Sequence, residues 1–494
     1  MSLRNRLLRG WFSLRERSID HFRRHPIAVQ EQMLRHLLRH SRRTSFGGEH
    51  HLSEIKSVEA FQQRVPTYDY ESFKPYIERM LAGEHHVTYP GRVGYFARSS
   101  GTTADRSKYI PVTRDSIWKN HTLGMRDVAT LYVAAHPKSR VLEGKTLTLG
   151  GSCMVEQGNL VGDLSAVLIH ETGLFSGWFR APKISTAIIP DFWEKADAIC
   201  RECVGERITA FAGVPSWNLA LMRRVLEYTG KEHLLQVWPE MEFFAHGGVE
   251  FAPYRQSFRE LLPSDQMHYM ETYNASEGFF ALADDPTRED MLLMLDYGTF
   301  YEFRDGEQIL PLEGVECGKS YALLISSNNG LWRYEIGDRV EFTSTNPYRI
   351  RFAGRTKQYI NAFGEELIVD NAERALTEAC EQCGAVVEEY SVAPCYMSLH
   401  ERGAHEWLIE FKRKPADLER FADALDRALR AVNSDYDAKR LTTLERQRLT
   451  LLPEGSLFAW LRARVKNKVP RLVNHRGVVE DILAFVAEER EKQK

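Results

Sequence analysis

Apolar residues recur at helical spacing through the first ninety residues, and QEQMLRHLLRH keeps a beat of three to four, the mark of a helix with one buried face. Helices are expected as far as MLAGEHHVTYPG. The pattern then changes. TLTLG (146–150), ISTAII (184–189), ITAFAG (208–213) and MEFFAHGG (241–248) are short apolar runs that predict strands. Between them, PDFWEKADAICRECV and SWNLALMRRVLEYTG return to helical spacing, the second opening at Pro215-Ser216, a helix-start signal. Strands spaced by helices predict a largely parallel sheet covered on both faces. From about residue 290, MLLMLDYGTFYEFRDGE, YALLISSNNGLWRYEIGDRVEFTS and YRIRFAGR are strand-rich with polar turns, which predicts hairpins or a small barrel-like part appended to that sheet.

A third texture follows Arg355. QYINAFGEELIV is extended, and a helix behind it carries a capping box, Asp370-x-x-Glu373. AVVEEYSVAP, HEWLIEFKR and TLERQRLTLLP predict strands; ADLERFADALDRALRAVN and SLFAWLRARV predict helices. The chain is therefore expected to be α/β, with a large N-terminal domain over 1–355 and a smaller α+β domain over 356–494, hinged at GRTKQ.

Composition removes several function classes. Of 494 residues, 43% are hydrophobic and 27% charged, as in ordinary globular chains. A net charge of -3 lacks the concentrated basic field of a nucleic-acid binder. The first fifty residues do hold eleven arginines against four acids. Their helical rhythm reads as packed helices, with arginine stems over apolar surface, rather than a membrane anchor. No run approaches the roughly 18–20 apolar residues that spanning requires, so no stable membrane insertion and a cytoplasmic location are expected. Absence of heptads predicts mainly a monomer. Among seven cysteines, Cys200/Cys203 and Cys380/Cys383 have zinc-like spacing, but their helical contexts read as free thiols.

Four segments carry candidate chemistry. ARSSGTTADRSK offers hydroxyls and backbone N–H groups at Ser99, Ser100, Gly101, Thr102 and Thr103, then Lys108. Such a turn wraps phosphate oxygens, although a plain polar turn has the same composition, and GxxxxGK[ST] is absent. In HYMETYNASEGFFA, Tyr273 offers an aromatic face, Ser276 a hydroxyl and Glu277 a carboxylate for Mg²⁺ beside phosphates. In LWRYEIGDRVEF, Asp338 follows a glycine at a strand end, where an acid accepts both ribose hydroxyls. Lys468 precedes a proline in KNKVPRLV. A surface turn, a hairpin turn and a solvated basic tail are the plain alternatives for the last three.

Together and in order, these segments resemble the adenylate-forming superfamily, and within it the plant-type auxin-responsive acyl-acid amido synthetases, the Gretchen Hagen family, with its bacterial relatives. SSGTTADRSK resembles the phosphate loop, FFAHGGVEFAPY the segment beside adenine and YNASEG the aromatic-hydroxyl-acid motif. WRYEIGD resembles the ribose motif, FAGRTKQYINAFGEEL the hinge, and GSLFAWLRARVKNKVPRLV the closing segment. The resemblance implies that Ser99, Ser100, Gly101, Thr102 and Thr103 clasp the β- and γ-phosphates of ATP with help from Lys108. It implies that Gly247 and Gly248 line the adenine, with Tyr273 near its ring and Ser276 near the α-phosphate. Glu277 would support Mg²⁺, Asp338 hold the ribose, and Arg355 lie near ribose or phosphate. Lys468 would reach the α-phosphate when a mobile C-terminal domain closes.

The implied reaction has two steps. A small carboxylic acid attacks the α-phosphate, giving an acyl-adenylate and pyrophosphate; an amino acid or other amine then displaces AMP. Residues 120–190 would line the acyl pocket, with Trp178, Phe179 and Arg180 as candidates, and the compressed ARVKNKVPR segment bears on the acceptor. An acyl-CoA ligase shares the first step and is the alternative. A non-catalytic adenylate-binding protein has no chemical need for Glu277, Asp338 and Lys468 together.

Overall fold

The computed structural model describes residues 3–100, 107–177, 179–356, 358–464 and 469–492. Helices Leu3–Arg24 and Pro26–Ser41 open the chain. The first buries Phe12, Ile19 and Phe22. Its Arg15, also buried, donates to Asp127 and Asp296 at 2.8 Å each, and Tyr297 donates to the same Asp127 carboxylate. A buried guanidinium is tolerated because it is paired, and this one ties the N-terminus into the core. Among the described residues no helix is long and apolar enough to cross a membrane.

One twelve-stranded sheet forms the backbone of the molecule. From Arg180–Ala181 through Lys145–Thr148, Ile208–Gly213 and Phe243–Gly247 to His268–Ala275, neighbours run parallel. Helices Phe192–Cys203 and Pro215–Thr229 bury Ile199, Leu219, Met222 and Val225 against Phe211 and Phe244. Beyond His268–Ala275 the sheet turns antiparallel: Gly278–Leu282, Met291–Leu293, Tyr348–Arg355, Tyr334–Thr345, Ser320–Ser327, Thr299–Asp305 and Gln308–Pro311. Of the two forms expected for this stretch, it takes the hairpin form and extends the same sheet. A separate four-stranded sheet carries the hairpin Tyr95–Ser100/Ser107–Val112.

Two expectations need correction. ISTAII is not a strand: Ile184–Ala187 is a helical turn. Short apolar runs fit either state, and here Pro182 cannot donate to a continuing ladder, so the strand stops at Ala181. Glu202 then pins the turn through the Lys183 N–H and the Thr186 hydroxyl. The capping box at Asp370 and Glu373 does not form either. The helix begins at Val369, with the Ile368 N–H bonded to the Asn371 side chain, and Glu373 pairs instead with Arg471.

After Arg355 a short hairpin, Tyr359–Ile360/Leu367–Ile368, leads into a three-stranded sheet of Val386–Cys395, Ala404–Arg413 and Arg448–Leu452. Helices Val369–Cys383 and Leu418–Val432 bury Ala375, Ala379, Leu425 and Leu429 in the cluster that also holds Trp407 and Ile409. Leu408, Trp460 and Ile482 fill a cluster with the last two helices. This smaller domain rests on the large one through Ser216, whose hydroxyl donates to the Phe363 carbonyl at 3.1 Å, and through Tyr254, which donates to the Ala362 carbonyl. Its cysteines are free, as are Cys200 and Cys203, which are buried and whose thiols burial pushes up to about 11 and about 12. Among the described residues no group of three or more His, Cys, Asp and Glu gathers to hold a metal.

Candidate active site

Open α/β sheets bind ligands at the carboxyl ends of their parallel strands. Here Ile208–Gly213, Phe243–Gly247 and His268–Ala275 all end at that edge. Gly247 has no room for a side chain: an added Cβ would sit 2.5 Å from the Thr272 carbonyl oxygen. Gly248 takes φ +83°, a region cheap only for glycine, and its carbonyl accepts from Asn361 at 2.9 Å.

His268–Ala275 returns as Gly278–Leu282 through a two-residue connection, Ser276-Glu277, with Ala275 opposite Gly278. The turn is tied down from outside, since Asn329 donates to the Glu277 carbonyl at 2.8 Å and Asn120 accepts from the Phe279 N–H at 2.6 Å. Burial pushes the Glu277 carboxyl up to about 7. Its own backbone N–H and Lys108 oppose the shift, while Asp338 and Glu366 add to it. Glu277 therefore shares one field with Lys108, Asp338 and Glu366.

Asp338 is the most fully held of these groups. Its Oδ2 accepts from the Tyr273 hydroxyl at 2.8 Å and its Oδ1 from Arg355 Nε at 3.0 Å. Asp338 and Arg355 face each other across the ladder, with register shifts on both flanking pairings. Gly337 at φ +90° and Gly354 at φ +98° supply the backbone that such bulges demand. Burial favours the neutral acid at Asp338, and Arg355 and Tyr273 hold it back. The far edge of the guanidinium makes two bonds to Glu366, at 3.1 and 2.9 Å. Arg355 also lies over the Tyr359 ring, 5.1 Å from its centre.

Lys108 lies opposite Ser99, and Ser100 opposite Ser107, at the end of their hairpin where the two strands are connected; the Lys108 ammonium is 5.3 Å from the Tyr70 ring centre. Gly101, Thr102, Thr103, Trp178 and Lys468 lie outside the described residues. Tyr273 differs from its expected part. Its ring is buried, with Phe280 and Phe352 at 5.1 and 5.8 Å, so what it shows is a hydroxyl that orients Asp338. Arg180 is buried with its Nε unbonded, whereas Phe179 is exposed.

Three residues escaped the sequence reading. Asn329, Asn361 and Glu366 all brace the site through hydrogen bonds across 50 residues or more, or across the hinge. Of the adjacent pair Glu365-Glu366, Glu365 is consumed inside by the Ala362 and Phe363 N–H groups and His405. The single local signal for Glu366 is geometric, a positive φ of +41°.

The fold has counterparts among solved structures. GH3.15 acyl acid amido synthetase aligns at a TM-score of 0.59 and 15% identity, covering 93% of either chain. A 2-hydroxyisobutyryl-CoA ligase with 2-HIB-AMP and CoA aligns at 0.61 and 15%, covering 94% of this chain and 91% of that one. By sequence, the chain is 24% identical over 464 residues to indole-3-acetic acid-amido synthetase GH3.8 of Oryza sativa subsp. indica, covering 77% of this chain and 75% of the relative. It is 21% identical over 454 residues to the Arabidopsis thaliana synthetase GH3.4, covering 76% and 75%. The GH3 family N-terminal domain matches residues 15–267, the central domain 292–355 and the C-terminal domain 370–477. The first of these alone spans more than half of the chain, the other two follow it in order through Arg355 and the three-stranded sheet, and the protein thereby belongs to the GH3 family.

Proposed function

We propose that this protein is an ATP-dependent acyl-acid amido synthetase: it adenylates a small carboxylic acid and passes the acyl group to an amino acid or other amine. The observation that carries the reading is the Tyr273–Asp338–Arg355 arrangement beside Glu277 and Lys108 at the carboxyl edge of the sheet. Names among the relatives, indole-3-acetic acid-amido synthetases, support it.

The residues then divide the work. A carboxylate has about four acceptor sites, and Tyr273 and Arg355 occupy one on each oxygen of Asp338. The remainder suit the two ribose hydroxyls. Gly247 and Gly248 leave the strand end bare for the adenine, Ser276 presents its hydroxyl to the α-phosphate, and Ser99, Ser100, Gly101, Thr102, Thr103 and Lys108 serve the β- and γ-phosphates. Mg²⁺ enters with the nucleotide. One turn carboxylate without a protein cage fits such an ion, which takes one or two carboxylates and completes its shell with phosphates and water, and Glu277 would hold it. The metal supplies charge compensation on the phosphates. The acid's oxygen attacks the α-phosphorus and pyrophosphate leaves; Lys468, carried in by rotation of residues 356–494 about the segment after Arg355, balances the charge that builds there. The amine then attacks the acyl carbon, AMP leaves with the bonding pair, and a proton is lost from nitrogen. A cytoplasmic, mainly monomeric enzyme completes the proposal; a dimer resisting dilution in light scattering would contradict the last point.

Pyrophosphate release tests the first step. With ATP, Mg²⁺ and a panel of aromatic and aliphatic acids, release is expected only with a matching acid, and Asp338→Ala is expected to need more ATP to reach it. Acid-independent release would overturn the reading.

A further inference from the structure

The helix Leu3–Arg24 has an outer face besides the one that packs. Trp11, Leu14, Ser18 and His21 recur at intervals of three and four, so they form one stripe of it. Phe12, Arg15, Ile19 and Phe22 occupy the buried side. Ile117–His121 and Thr122–Ala135 form a continuous helical stretch beside it. There Arg126 sits over the Trp11 ring at 4.8 Å and Asp127 accepts from Arg15. Trp118 and Met125 stand on the same stretch. Trp11, Leu14, Trp118 and Met125 are between 42% and 58% exposed, four of the twelve large apolar side chains so exposed among the described residues. Helix Pro26–Ser41 completes the face, and a cleft of about 610 Å³ opens between it and the first helix. Arg17, His21, His36, Arg39 and Lys119 line that cleft, and Phe22, Val29 and Met33 add apolar surface.

The cations here exceed the acids that answer them. Asp296, the one acid of the cleft, takes two bonds from Arg15, and Asp115 pairs with Lys119 at 2.9 Å. Arg39 reaches the Arg35 carbonyl at 3.3 Å, and Arg17 has no carboxylate partner among the described residues. Burial lowers the His36 pKa, and His40, Lys119 and Arg39 lower it further, with Asp115 alone against them. The chain has a net charge of -3, yet its first fifty residues hold eleven arginines against four acids. Packing sets which side faces out, since Gln30 on the inner side donates to the Leu295 and Thr299 carbonyls at 2.9 and 3.0 Å. Arginine beside exposed tryptophan, leucine and methionine suits the lipid headgroup layer, where basic side chains meet anionic phosphates and indoles find both apolar and polar contacts. A second copy of the chain fits poorly, because a two-fold interface would set this positive patch against itself. Nucleic acid would use the arginines and leave Leu14 and Met125 without a role.

We propose that this face docks on an anionic phospholipid surface: Arg17, Arg39 and Lys119 receive lipid phosphates at the cleft, and Trp11, Leu14, Trp118 and Met125 enter the headgroup layer. The helices lie along the surface and keep their inner faces in the protein, so the contact is peripheral and reversible. It is independent of the reaction at the carboxyl edge of the sheet.

The test floats the full chain with vesicles of phosphatidylcholine alone and of phosphatidylcholine with phosphatidylserine, at low and at physiological salt. Binding is expected to the anionic vesicles only, and to weaken as salt rises. Arg17→Gln combined with Arg39→Gln is expected to weaken it about 10- to 50-fold, each basic side chain at such a surface being worth about fivefold. Leu14→Ser combined with Met125→Ser should weaken it several-fold through lost apolar burial. Thermal melts matching wild type show that the variants fold, and the single substitutions Arg17→Gln and Leu14→Ser replace either pair that melts lower. No binding to anionic vesicles, or equal binding to both kinds, would overturn the proposal. Loss in the arginine variant alone, with equal binding of wild type to an oligoribonucleotide, would make the face a nucleic-acid surface instead. A dimer in light scattering that the same variants dissolve would make it a contact between copies of the chain.

Discussion

The two domains hold a buried charge in different ways. On the large domain, Asp338 is bonded on both oxygens and Arg355 on both edges, so the geometry is fixed before any ligand arrives. On the smaller domain, Lys439 is about as buried as Asp338, and its ammonium rests over the Trp217 ring, 4.2 Å from its centre. A prepaired group keeps one position through binding and reaction and serves to hold what does not change, such as a ribose. A cation over a ring face is held without a directional bond and so less tightly.

The largest effect is expected at Lys468. Lys468→Ala is expected to lower kcat for adenylation by about 10²- to 10³-fold with little change in the KM for ATP, because its contact belongs to the transition state. Rates measured by pyrophosphate release decide it; wild-type adenylation would make Lys468 part of a solvated tail.

Asp338→Ala should show the reverse. It raises the KM for ATP more than it lowers kcat. It also leaves Tyr273 and Arg355 short of a buried acceptor, a change that costs about 3–5 kcal/mol where a buried pair is broken. Urea unfolding gives the stability, and Asp338→Asn, which keeps an acceptor for Tyr273, should lose less. Gly247→Ala comes next: backbone oxygen at 2.5 Å cannot give way as a side chain can, and overpacking of this kind costs about 1–3 kcal/mol, with a raised KM for ATP.

The smallest effect is a pH dependence. Glu277 has its pKa raised from 4.5 to about 7, so between those values the folded protein holds a proton that the unfolded chain has released. Its contribution to stability is present at pH 4.5 and is lost as pH rises through 7. Glu277→Gln should flatten that part of the stability–pH curve. Since Mg²⁺ favours the carboxylate, binding of Mg-ATP near pH 6.5 should release a proton, measurable by calorimetry in buffers of different ionisation enthalpy, and the release should vanish in the variant.

Most of the fold was legible because its signals are local. Short apolar runs placed Ile208–Gly213 and Phe243–Gly247, and Pro215 marked its helix start as expected. ISTAII failed because so short a run, with four apolar residues, suits either state, and what decides is Pro182 together with Glu202 some twenty positions away. Of the proposed site, what the sequence singles out is what lies in a contiguous motif. Asp338 and Glu277 announced themselves in WRYEIGD and YNASEG, while their braces did not. Asn329, Asn361 and Glu366 act through hydrogen bonds that only tertiary structure creates, and Lys439 lies on an ordinary amphipathic helix whose sequence says nothing of Trp217.

Whether this chain makes amides through an acyl-adenylate is decided by the identity of its product. The protein is incubated with ATP, Mg²⁺ and the acid panel, once with amino acids and once with CoA, and the products are read by mass spectrometry. An acyl–amino acid amide is expected, with AMP and pyrophosphate formed in equal amounts. A CoA thioester with no amide would contradict it.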